Sequence, residues 1–99
     1  MAFGIRVFGS DASSVTPEDM IGELSTYEAS SGLARGTVAS IESKLQLALE
    51  ALGSNDTASA CIYLQDVINY TTAQSGKKIP ATVANEIISQ ATDIRTEIG

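Results

Sequence analysis

A-L-G-S-N-D-T-A-S-A-C-I-Y-L-Q-D-V-I-N-Y-T-T-A-Q-S-G-K-K-I, residues 51–79, is the stretch that decides the fold. It holds a helix stop, a helix start, a long amphipathic helix and a second stop. Gly53 suits a left-handed cap at the end of one helix. Asn55 or Asp56 suits the N-cap of the next, because a short side-chain oxygen can accept from the free N–H groups of a first turn. Ala60, Cys61, Leu64, Val67, Ile68 and Thr71 then recur at helical spacing. Gly76 closes this helix as Gly53 closes the one before. Only a few residues separate the two helices, so they must run antiparallel.

Working outward, the same punctuation marks two more helices. Thr16-Pro17-Glu18-Asp19 opens the first: Thr16 as N-cap, Pro17 at the first helical position, Asp19 three residues on to complete a capping box. Met20, Ile21, Leu24 and Tyr27 mark its apolar face, and it fades at Ser30-Ser31-Gly32. The second helix begins between Ala34 and Thr37, with Val38, Ile41, Leu45, Ala48, Leu49 and Leu52 as its stripe and Leu47 off it. Pro80 opens the last helix, whose stripe is Ala84, Ile87, Ile88, Ala91, Ile94 and Ile98, with Val83 at one edge. Upstream, Phe3, Ile5 and Val7 alternate with Gly4, Arg6 and Phe8, the period-two signal of an extended strand. The fold class is therefore all-α, a small bundle of three to four antiparallel helices with a short extended N-terminal arm or strand. Residues 1–15 read as arm and linker, and residues 16–99 as the helical domain. Its core centres on Leu45, Leu49, Leu64, Val67, Ile68, Ile87, Ile88 and Ile94.

The 99 residues are one domain's worth of chain, and 43% are hydrophobic, enough for one core. No apolar run approaches the roughly 18–20 residues needed to span a bilayer. Six basic residues against twelve acidic give a net charge of −6. Arg6, Arg35, Lys44, Lys77, Lys78 and Arg95 are scattered, whereas nucleic-acid binding rests on clustered Lys and Arg. Nucleic acid and anionic membrane surfaces are thus disfavoured as partners.

The residues of catalysis are sparse as well. There is no His and one Cys, which argues against transition-metal ligation and leaves Cys61 as a small core hydrophobe. Ser54-Asn55-Asp56-Thr57 lacks the oxygen spacing of a calcium loop and reads as a capping turn. Glu23, Glu28, Glu42, Glu50, Asp66, Glu86, Asp93 and Glu97 are assigned to solvated faces. No catalytic, cofactor or metal residue is expected, and the chain is read as non-enzymatic. Tyr63 and Tyr70 are seven apart and share a face with Asp66, giving one candidate interaction surface, but the favoured reading is that one of them packs against the first helix or the arm. Phe3, Ile5 and Val7 give the other, a strand able to add to a partner's sheet edge or to join copies of this chain. Asn55-Asp56-Thr57 and Asn69-Tyr70-Thr71 fit the acceptor triplet of N-linked glycosylation.

Several of these segments resemble one family. I-E-S-K-L-Q-L-A-L-E-A-L-G-S-N-D-T-A-S-A from Ile41, then Leu64-Gln65-Asp66-Val67-Ile68, then Ala73-Gln74-Ser75-Gly76-Lys77-Lys78-Ile79, and Val83-Ala84-Asn85-Glu86-Ile87-Ile88 followed by Ala91, are similar to the FIMAH domain. The likeness runs from about Met20 to Ile94, and Ala73–Ile79 is its most specific piece. Val67 stands where the namesake aromatic would be, Asn69-Tyr70 replace the residues that usually follow, and Pro80 stands in place of a Ser or Thr cap. The resemblance implies a small helical module toward the C-terminus of a secreted multidomain bacterial or archaeal protein, with no catalytic role. On that reading Phe3 to Phe8 belong to the preceding domain or linker and Met1 is not the natural start. Without it, the chain is a free-standing cytoplasmic protein. The partners expected are neighbouring domains or another protein chain, and no cofactor.

Overall fold

The computed structural model describes residues 16–98 and is built from four helices: α1 (Pro17–Ala29), α2 (Arg35–Gly53), α3 (Thr57–Gln74) and α4 (Ala81–Ile98). The expected arm, with Phe3, Ile5 and Val7, lies outside the described residues. Helix α2 packs along α3 and α3 along α4, while α1 rests against both α4 and α2. Neither diagonal pair is in contact among the described residues, so the helices form a four-membered ring. Helix α1 is the shortest and the most sparsely packed of the four.

Local chemistry sets the starts. The Asp19 N–H donates to Thr16 Oγ1 at 3.1 Å and the Thr16 N–H to Asp19 Oδ2 at 3.5 Å, the reciprocal capping box read from the sequence. Asp56, not Asn55, caps α3, accepting from the Ser59 N–H at 3.1 Å. Hydrogen bonding from the Ser59 side chain and backbone holds the Asp56 carboxyl below its usual value. Helix α2 starts at Ala34 with no side-chain cap at all.

One stop differs from expectation. Gly53 is the last residue of α2 and does not take a left-handed conformation. Asn55 does so instead, at φ 60°. The carbonyls of the last α2 turn are met by the Ser54, Asn55 and Asp56 N–H groups, so the reversal comes two residues late. Asn tolerates that backbone because its short polar side chain can bond locally. Gly76 does adopt positive φ, at 76°.

The core is aliphatic. Ile21, Leu24, Ile41, Leu45, Leu64, Val67, Ile87 and Ile94 are buried, with Ala48, Ala60, Ala84 and Ala91 letting the helices approach. Each large side chain so buried stabilises by about 1.5–3 kcal/mol. Leu49, Ile68 and Ile98 pack at its edge, half-buried, and Cys61 and Ile88 are half-buried too. Leu47, off the stripe, is 41% exposed. Ile79, outside every predicted stripe, is fully buried.

Candidate functional site

The segment with the most specific sequence signal forms a turn with a buried anchor. After Gln74 the chain leaves α3. The Lys77 and Ile79 N–H groups return to the Gln74 carbonyl at 2.9 and 3.1 Å, and the Gly76 N–H donates to the Ile79 carbonyl at 2.8 Å. These bonds bring Ser75 and Ile79 side by side as a parallel bridge. Gly76 supplies the positive φ that lets its N–H face Ile79. Ile79 enters the core, and Lys77 and Lys78 stay exposed. Pro80 follows, and its carbonyl accepts from Ala84 in the first turn of α4. The pattern is thus used up by the backbone and the core, as a left-handed glycine, two solvated lysines, an aliphatic anchor and a helix opener.

The tyrosine surface is only partly as expected. Asp66 is exposed, but Tyr63 and Tyr70 are both half-buried against the edge of the core. The Lys44 ammonium lies 4.9 Å from the Tyr70 ring centre and also donates to the Ser40 carbonyl at 3.3 Å. That cation–π contact ties α2 to α3. Ile62, on the outward face of α3, is 60% exposed. Asn55 and Asn69 are exposed, Asn69 accepting from Gln65 Nε2 at 3.0 Å within α3.

Two carboxylates assigned to solvated faces are not on them. Glu28, in the last turn of α1, has no exposed surface, and Glu42 on α2 is half-buried. Ser25, one turn before Glu28, donates from Oγ to Glu42 Oε2 at 2.5 Å, joining α1 to α2. Among the described residues no N–H or hydroxyl donor reaches either oxygen of Glu28. Ser25 and Glu28 lie on one face of α1, so the Ser25–Glu42 bond brings the Glu42 carboxyl to the Glu28 side of that helix. Both facts hold together if one carboxyl is protonated and donates to the other, because two carboxylates are acceptors only. Burial first, then Glu42 as hydrogen-bond partner and as a like charge, push the Glu28 carboxyl up to about 8 from an ordinary 4.5. Burial and the neighbouring carboxyl thus make Glu28 hold its proton to higher pH than an ordinary carboxyl does. Another buried polar atom, Thr71 Oγ1 on α3, has no hydrogen-bond partner among the described residues.

The remaining carboxylates are exposed as read. Glu23, Glu86 and Asp93 line a groove of about 340 Å3 between α1 and α4, with Met20, Gln90 and Ile94. Gln90 Nε2 donates to Glu86 Oε2 at 2.8 Å. Among the described residues no three acidic or cysteine side chains converge as a metal site. No described helix is long and apolar enough to cross a membrane. Comparison of the chain with family models, curated proteins and solved structures returns no match.

Proposed function

We propose that this chain is a non-catalytic accessory domain of a larger secreted or cell-surface protein, of the FIMAH type it resembles. It would act as a spacer, a stabilising cap or a weak protein or carbohydrate contact module. The observation that carries this reading is the Gln74–Ile79 turn. The segment most specific to the resemblance is spent on backbone geometry and on anchoring Ile79, which is what a structural module selects for. An enzyme would be expected to concentrate its specific residues on reacting groups in a cleft.

The rival reading is a free-standing acidic interaction protein, an inhibitor or an assembly component that self-associates through Phe3, Ile5 and Val7. Sedimentation of the whole chain and of a form lacking residues 1–12 separates the two. An unchanged assembly state supports the accessory domain. An oligomer that falls to monomer on deletion replaces it with the free-standing protein.

A further inference from the structure

We propose that α1 is fastened to the bundle by one proton shared between Glu28 and Glu42, which makes its seating a pH-sensitive latch. The geometry has three parts. Glu28 is wholly buried at the C-terminal end of α1, with no donor at either oxygen. Glu42 faces α1 from the neighbouring helix, on the side that carries Ser25 and Glu28. Ser25 holds Glu42 in place from the α1 side. An O–H···O bond between the carboxyls gives one of the two buried Glu28 oxygens the partner it otherwise lacks.

Among the described residues no cation acts on Glu28. From α2, Glu42 is the one charged group that acts on Glu28. Lys44 is drawn to Tyr70 and the Ser40 carbonyl, and Arg35 is exposed at the helix start. Helix α4 turns Ala84, Ile87, Ala91 and Ile94 inward, while Glu86 and Asp93 open with Glu23 onto the groove. Arg95 sits in the last turn of α4, remote from its start. Glu18 and Asp19 are in the first turn of α1, far from Glu28. The backbone of α3 does not approach that of α1, and α3 turns Ala60, Leu64, Val67 and Thr71 inward.

When the proton leaves, Glu28 carries its charge in a wholly buried site beside a second carboxyl, where it is poorly accommodated. Rehydrating Glu28 requires lifting α1, the helix with the fewest neighbours, and local opening follows the path of fewest contacts. Opening uncovers Ile21 and Leu24, an apolar face that a closed bundle hides. The device is independent of the accessory-domain reading.

The test is a carbon-13 carboxyl titration of Glu28 in the whole chain, with amide hydrogen exchange of α1 and α3 from pH 5 to pH 8. Glu28 should titrate well above the ordinary carboxylate range. Helix α1 should be less protected than α3 throughout, and its protection factors should fall on the order of 100-fold over that interval. Glu28→Gln, whose amide can donate to Glu42 with no proton to lose, should abolish the fall. A Glu28 midpoint in the ordinary range overturns the shared proton. Equal protection of α1 and α3 at every pH overturns the latch, because α1 would then leave only when the whole bundle unfolds. Should Glu28→Gln fail to fold, the wild-type titration and exchange decide alone.

Discussion

Gly53→Ala and Gly76→Ala are the same chemical change at two helix ends, and the structure gives them opposite signs. A Cβ built at either position meets nothing within 4 Å, so neither variant suffers a clash and only backbone conformation counts. Gly53 is the terminal residue of α2 with no positive φ. Alanine there gains helix propensity and restricts the unfolded chain, together stabilising by about 0.5 kcal/mol. Gly76 sits at φ 76°, where an L side chain costs roughly 1–2 kcal/mol. Set against the unfolded-state gain, Gly76→Ala should destabilise by about 1 kcal/mol. For a chain of this size that lowers Tm by about 4–8 °C, while Gly53→Ala raises it by about half as much. Urea and thermal unfolding followed by far-ultraviolet circular dichroism measure both. If Gly53→Ala lost as much as Gly76→Ala, the left-handed stop of α2 would be at Gly53 after all. Equal tolerance of both would remove the positive-φ turn before Ile79.

Three further outcomes follow from the core and the carboxyl pair. Leu64→Ala, at a fully buried position of α3, should cost about 2–5 kcal/mol by urea unfolding, with a cooperative transition retained. Thr71→Val should stabilise by about 1 kcal/mol in the same assay, because it removes a buried hydroxyl with no partner while keeping the shape. Global stability should fall as pH rises. Glu28 has a folded value of about 8 above its ordinary 4.5, so folding takes up a proton between them. The neutral group costs nothing below pH 4.5, and the loss by pH 7 is roughly 3 kcal/mol. Denaturant midpoints measured from about pH 4.5 to 8 should show that slope in the wild type and a flat profile in Glu28→Gln.

The helices were legible because their boundaries are written in residues with one strong conformational use. Thr16 followed by Pro17 and Asp19 has few readings other than a capped helix start, and Gly76 ahead of Pro80 few other than a stop and a restart. Periodicity then placed Ile21, Leu24, Ile41, Leu45, Leu64, Val67, Ile87 and Ile94 inside, where the structure has them. It overreached at Leu49, Ile68 and Ile88, which are only half-buried, because spacing gives the direction of a side chain but not how far the neighbouring helix extends over it. Ile79 was missed since it belongs to no helix. Its one visible signal was an aliphatic residue alone between two lysines and a proline, where solvent exposure would be wasteful.

Glu28 is the more instructive miss. Residues 21, 24 and 28 have the i, i+3, i+7 spacing of a buried stripe, but the identity of Glu28 assigns it to a solvated face. Identity wins when a carboxylate has only water to satisfy it. Here the partner is a second carboxylate from another helix, held by the Ser25–Glu42 bond between residues seventeen apart, which no local pattern encodes. The converse applies to Ala73–Ile79, whose distinctive residues are consumed by a turn. In this chain the segment most conspicuous as a motif does the work of folding. The group most able to respond to its surroundings looks, in sequence, like one more surface glutamate. A charged residue standing on an otherwise apolar helical stripe should therefore be read as buried and paired until its partner has been sought on the adjoining helix.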